Sequence, residues 1–172
     1  MDVGEPERLT TDRLVLEPLC VQHADEMVAV LADPRLYEFI GGEPPDRGAL
    51  IERYRRQVEG SGRDDEQWYN WIARRTDDGV AVGYVQATVT GPRADVAWVI
   101  GTGHQRQGYA REAVGAMVRW LMRSGVEGVT AHIAAGHTAS AGVAEALGMK
   151  PTGVVDDDGE HVWERVATHR PS

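Results

Sequence analysis

Apolar and polar positions along the chain change period several times, and each change marks an element. In LVLEPL (14–19) they alternate, the two-residue period of a half-buried strand. Val21, Ala24, Met27, Val28 and Leu31 then recur at helical spacing, and Pro34 is expected to close that helix. GGEPPD (41–46) reads as a loop, with Asp46 placed to N-cap a helix over RGALIERYRRQVEG. After a second loop, GRDDEQ, come three strand-like runs: WYNWIARR (68–75), VAVGYVQATVT (80–90) and ADVAWVI (94–100). The turns between them, TDDG and TGPR, are short, so the three runs are expected to form an antiparallel meander. Ala110, Ala113, Val114, Met117 and Leu121 mark one face of a helix over 108–123. GVTAHIA (128–134) reads as a strand, and TASAGVAEALG (138–148) as a short helix that stops at glycine. PTGVVDDDGEHVWERV closes the pattern as a hairpin turning at 157–159.

The order is strand, two helices, three strands, helix, strand, helix, two strands. It predicts an α/β domain of the α+β type, with about seven strands in a mixed, mostly antiparallel sheet and about four helices. A length of 172 residues fits a single domain, 1–172, with a buried core. The net charge of -9 argues against a general nucleic-acid or membrane-surface binder, since both partners select a basic face; a cationic or amine partner would be steered in. Cys20 is the single cysteine, which rules out a disulfide frame and a cysteine zinc site. The polar start MDVGEPERLTTDR has no signal-peptide core, and no apolar run approaches the roughly 20 residues that span a bilayer, so the cytoplasm is the expected compartment.

The candidate chemistry lies in GHQRQGYAREAVGAMVRWL (103–121), a loop broken by glycines that runs into a helix. A helix start leaves four N–H groups unpaired and carries partial positive charge, so an anion can satisfy both. Gly108 and Ala110 keep bulk away, while Gln105, Arg106, Gln107 and Arg111 surround the opening with donors and charge. A diphosphate is the natural guest. The P-loop pattern fails because no glycine-lysine-serine or glycine-lysine-threonine follows. The dinucleotide fingerprint fails because Arg106 stands where its third glycine belongs. From glycine spacing alone, the loop fits equally a helix start that uses glycine only to turn.

The longer string decides. QRQGYA (105–110) matches the Q/R-x-x-G-x-G/A signature of the GNAT superfamily of acyl-coenzyme-A N-acyltransferases. ADVAWVI resembles that family's fourth strand, HTASAGVAEALGM (137–149) its N-x-A-S-x-x-V-x-x-x-L-G-F segment, and LTTDRLVLEPL (9–19) the opening of its RimJ/RimL branch of ribosomal-protein N-terminal acetyltransferases. The resemblance covers about residues 9–166, in order. It implies a sheet splayed between the fourth and fifth strands by a bulge, with the pantetheine arm of coenzyme A docked in the gap like an added strand. The backbone of Trp98, Val99 and Ile100 would then hold the acyl-pantetheine end. The loop Gln105, Arg106, Gln107, Gly108, Tyr109, Ala110 and Arg111 would hold the pyrophosphate. GTG (101–103) stands where the family often has proline.

The reaction implied is transfer of an acetyl group from acetyl-coenzyme A to an amine. An ammonium ion must lose a proton to attack, and a group with pKa near neutrality serves best. Histidine meets that requirement, and His132 lies where some members place a glutamate base; the same residue also fits a histidine that only fills space in a strand. Ser140 matches the serine of the N-x-A-S segment as acid or thiol orienter, or else as a first-turn serine that satisfies a backbone N–H. The acid tyrosine of many relatives is replaced by Ala144. His137 replaces the usual asparagine and would contact the pantetheine. Asp95, Trp68, Trp71 and Glu38 are candidate acceptor contacts. DDDGE (156–160) lacks the alternating ligands of a calcium loop, and His132 and His137 have no HExxH helix, so no metal is expected.

The resemblance thus implies an acetyl-coenzyme-A-dependent N-acetyltransferase acting as monomer or homodimer on a small amine or a protein N-terminus. The alternative is a non-catalytic acyl-coenzyme-A-binding module. A serine hydrolase is disfavoured, because TASAG lacks the G-x-S-x-G elbow.

Overall fold

Two short strands open the sheet, β1 (Leu9–Thr10) and β2 (Leu14–Pro18), joined by a turn in which the Thr11 N–H donates to the Leu14 carbonyl (2.9 Å). The computed structural model describes residues 3–167. Helices α1 (Ala24–Val30), α2 (Tyr37–Ile40) and α3 (Arg47–Glu59) follow. Pro34 does not close α1, which stops at Val30. It opens a separate 3-10 turn instead, where its fixed φ suits a first helical position and the Asp33 carboxylate accepts from the Arg35 N–H (2.9 Å). Asp46 caps α3 as expected, accepting from the Ala49 N–H (2.7 Å).

The meander is β3 (Glu66–Arg75), β4 (Ala81–Thr90) and β5 (Arg93–Ile100). Then come α4 (Tyr109–Arg123), β6 (Gly128–Ala134), α5 (Thr138–Ala146), β7 (Lys150–Val155) and β8 (Glu160–Val166). The eight strands among the described residues lie in one sheet, ordered β1-β2-β3-β4-β5-β6-β8-β7. The strand beyond the expected seven is the two-residue β1, and the helix beyond the expected four is α2. Among the described residues only β5 and β6 pair in parallel, because α4 carries the chain back across the sheet between them.

Strand alternation divides the core in two. Under α4 lie Tyr69, Trp71, Val85, Val96, Val129 and Ala131, packed on Met117 and Leu121. On the opposite face Ile72 meets Met27 of α1 with Leu50 and Tyr54 of α3. The helices of this second face cover β3, β4 and Val99 of β5, and leave Asp95 and His132 exposed. Among the described residues no helix is long and apolar enough to cross a membrane.

Candidate active site at the splayed strands

The parallel ladder is short. Arg93, Ala94 and Asp95 pair with Gly128, Val129 and Thr130, and beyond them β5 and β6 part. The β4–β5 register runs unbroken from Arg93 to Ile100, so the expected bulge is absent there and the gap comes from divergence of β6. Which backbone groups face the gap follows from one hydrogen bond. The Gly101 N–H donates to the Val82 carbonyl (2.8 Å), so odd-numbered residues of β5 turn their backbone groups to β4 and even-numbered ones turn theirs to the gap. Trp98 therefore presents its N–H and C=O to the gap, while Val99 pairs with Tyr84. The Ile100 carbonyl is also taken, accepting from the Gln105 side-chain amide (3.0 Å). Val99 is thus corrected as a backbone ligand. Ile100 keeps only its N–H for the role, and the Gln105 amide pins the loop rather than fringing its mouth.

At the C-terminal end of β5 the chain turns through Arg106, whose φ of 64° is left-handed, and Gly108, whose φ is 82°. The first helical bond of α4 runs from the Glu112 N–H to the Gly108 carbonyl (3.1 Å), leaving the N–H groups of Tyr109, Ala110 and Arg111 without a helical acceptor. A β-carbon on Gly108 would lie 3.2 Å from a terminal nitrogen of Arg13, in a backbone conformation that side chains disfavour. Arg13, in the TTDRL run, belongs to no motif that marks it for this place. Its guanidinium lies 4.7 Å above the Tyr109 ring centroid, and its Nε donates to Glu112 (2.8 Å). Glu112 also accepts from the Thr11 hydroxyl and the Arg13 N–H. Burial works against its charge, but those hydrogen bonds outweigh it and hold the carboxyl below its usual range. One carboxylate thus ties the β1–β2 turn to the start of α4 and sets a cation beside the free N–H groups.

His132 stands on β6 just past the last paired residue. The Asp156 carboxylate lies 2.7 Å from its Nδ1, and Asp95 lies 3.9 Å from its Nε2. Asp156 comes from the β7–β8 turn. Hydrogen bonds from the Glu160 N–H and from His132, with the Asp158 N–H, hold its carboxyl below the usual range. An ionised carboxylate only accepts, so Nδ1–H donates to it and the Nε2 lone pair is directed away from it. Asp156, Asp158 and Glu160 each bring a possible ligand atom within 4.8 Å of the others, and the turn's own N–H groups and His132 occupy Asp156.

His137 is the N-cap of α5. Phe39 of α2 lies flat on its ring, with centroids 4.3 Å apart and planes at 4°. Burial pushes its imidazole below the ordinary value. Ser140 Oγ lies 3.3 Å from His137 Nε2, so the serine bonds the imidazole and caps no N–H. No hydrogen bond links His132 to Ser140 among the described residues. Glu38 is exposed on α2 beside Phe39. Trp68, Thr88, Asp95 and Thr130 form one cross-strand row on the face opposite α4. Trp71 points the other way. It is fully buried, with its indole N–H on the Glu7 carbonyl (2.9 Å) and its ring edge-on to Trp120 at 5.3 Å. It is a core residue, which removes it from the acceptor contacts.

The family described as "Acetyltransferase (GNAT) domain" matches residues 13–150. Among curated proteins none matches the chain in sequence. Solved structures share the fold at low identity. An acetyltransferase of the GNAT family from Bacillus anthracis superposes with a TM-score of 0.76 at 15% identity, over 93% of this chain and 98% of its own. An acetyltransferase from Agrobacterium tumefaciens str. C58 gives 0.74 at 22% identity, over 94% and 95%. The microcin C7 self-immunity acetyltransferase MccE, solved in complex with acetyl-CoA and AMP, gives 0.77 at 12% identity, over 91% and 93%.

Proposed function

Because the chain belongs to the acetyltransferase (GNAT) domain family, we propose that it transfers the acetyl group of acetyl-coenzyme A directly to a primary amine of a small molecule or a protein N-terminus. The observation that carries this reading is the pairing of two features at the C-terminal ends of β5 and β6: a gap lined by the unpaired backbone of Trp98, and a helix start with three free N–H groups beside Arg13. A diphosphate suits the second feature and an amide-bearing arm the first. Acetyl-coenzyme A supplies the activated acyl group. Arg13, Arg106 and Arg111 add charge around its phosphates, and His137 with Ser140 forms the wall at the start of α5.

His132 takes the proton that the amine must lose, on Nε2. Asp156 fixes the tautomer, and Asp95 attracts the ammonium into place. The C–N bond forms and the C–S bond breaks; the second proton of the ammonium, released as the amide forms, passes by way of the Ser140 hydroxyl to the thiolate, and coenzyme A leaves as the thiol. The RimJ/RimL branch, with action in the cytoplasm, is part of the same proposal and rests on LTTDRLVLEPL. The test is release of free thiol from acetyl-coenzyme A over a panel of amines. Wild type is expected to turn over at least one class, and His132→Ala to lose about 100-fold or more in kcat. Binding of coenzyme A without any turnover would leave the acyl-coenzyme-A-binding module in its place.

A further inference from the structure

On the sheet face opposite α4, between α3 and the strands β3 and β4, lies an open cavity of about 550 Å³. Its lining includes Arg53 and Arg56 of α3, Asn70 of β3 and Gln86 of β4, with Trp68 at its wall. A narrow cleft of about 20 Å³ continues from it beneath Arg53 to Tyr54 and Tyr84.

Three observations set this cavity apart from an ordinary surface fold. Neither Arg53 nor Arg56 has an ion-pair partner among the described residues, although the whole chain carries a net charge of -9 and the other arginines around α3, Arg47 and Arg55, are paired. The one carboxylate in the lining, Glu66, is engaged by the Trp68 indole N–H (2.8 Å) and lies 4.0 Å from Arg63. The hydroxyl of Tyr54, a residue only 3% exposed, has no hydrogen-bond partner among the described residues. A buried hydroxyl left unpaired is destabilising, and a ligand oxygen in the cleft would satisfy it.

The β4 wall of the cavity adjoins β5. Asn70 stands opposite Gln86, and Gln86 opposite Ala97, the neighbour of Trp98. With strands spaced by roughly 5 Å, Gln86 and Asn70 lie roughly 5 and 10 Å across the sheet from β5. Asp95, in the adjoining row, offers negative charge to an amine at the gap.

We propose that this cavity is a carboxylate subsite for the acceptor, so that the amine acetylated belongs to a molecule bearing a carboxylate roughly 5–10 Å from its nitrogen. The inference rests on the acetyltransferase reading above and names its substrate class. Arg53 takes the carboxylate through its planar fork, the Tyr54 hydroxyl donates to the same group, and the amides of Asn70 and Gln86 complete the polar wall.

The test compares 4-aminobutanoate and 6-aminohexanoate with 6-aminohexanol, hexylamine and 6-aminohexyl phosphate. Two readouts are taken: kcat/KM with acetyl-coenzyme A, and calorimetric binding to protein saturated with coenzyme A. Wild type is expected to favour an amino acid over the alcohol by tenfold or more. Arg53→Ala is expected to abolish that preference through KM and leave hexylamine unchanged, with Arg53→Lys keeping part of it. Tyr54→Phe, which retains the ring and the fold, is expected to weaken the amino acid by about threefold or more. Equal use of amino acid, alcohol and amine overturns the subsite while leaving the acetyltransferase reading intact. So does preference for the phosphate, or an Arg53→Ala loss shared by all acceptors. Absence of turnover with retained, Arg53-dependent carboxylate binding would overturn the acetyltransferase reading and keep the subsite. Absence of both overturns the subsite.

Discussion

At the residue scale the site depends on which atom of His132 is free. Asp156 accepts from Nδ1, and the turn N–H groups of Asp158 and Glu160 fix that carboxylate in turn. Asp156→Asn replaces an obligate acceptor with an amide that can present either end, so the imidazole loses its fixed tautomer. The expected outcome is a fall of about tenfold in kcat, with an unchanged KM for acetyl-coenzyme A and a thermal midpoint within a few degrees of wild type. Steady-state kinetics and a melting curve check both halves. His132, Ser140 and His137 are candidates because a motif or its spacing points to them. A hairpin turn at 157–159 is legible in the sequence and present in the backbone, but that the turn folds back on β6 some twenty residues earlier in the chain is not. Arg53 and Tyr54 were invisible for a similar reason: a missing partner is a property of the fold and leaves no mark in sequence. Trp71 failed as an acceptor contact because alternation leaves open which face of a strand is inward, and here α4 lies on the Trp71 side.

At the element scale, the start of α4 and the start of α5 flank the gap. For α4 the sequence was legible in detail, since Gly108 sits in the left-handed region at the helix entry where the motif required glycine. Gly108→Ala adds a β-carbon to that conformation and sets it 3.2 Å from Arg13. We expect a loss of about 1–2 kcal/mol in stability. We also expect at least tenfold weaker coenzyme A binding by calorimetry, because the added carbon crowds both the cradle and its cation. For α5 the sequence indicated the helix but not its cover, because stacking of Phe39 on His137 joins segments about a hundred residues apart. That contact carries a pH signature. Burial holds the His137 imidazole below its unfolded value of about 6.5, so below that pH the unfolded chain binds the proton more readily than the folded one. The associated stability is full above about pH 6.5 and declines as pH falls from there toward the lowered folded value. In melting curves at pH 7.5 and 5.5, wild type is expected to lose more of its midpoint than His137→Phe, which keeps a stacking ring without the titration. An equal drop in both would remove His137 from the account.

At the scale of the whole molecule, net charge and local charge point in opposite directions. The chain carries -9, a charge that on its own favours cationic acceptors. Yet the loop expected to hold the phosphates presents Arg106 and Arg111 with Arg13 beside them, and the cavity under α3 holds two unpaired arginines. A sum over the sequence fixes the distant field and says nothing about which cations the fold gathers without partners. The two fields separate by range. At an ionic strength of about 0.01 M the screening length is roughly 30 Å, so an approaching polyphosphate anion meets the repulsion of the whole chain; at about 0.15 M it is roughly 8 Å, and only nearby arginines and N–H groups act. Raising salt across that interval should therefore speed association of coenzyme A several-fold and change its dissociation rate far less, the reverse of the usual behaviour of a phosphate-binding protein. Stopped-flow fluorescence of Trp98, compared with Trp98→Phe to assign the signal, measures both rates. An association rate that falls with salt would show that the arginines around Gly108 outweigh the global charge even at long range. The distant acidic surface would then have no part in delivering the cofactor.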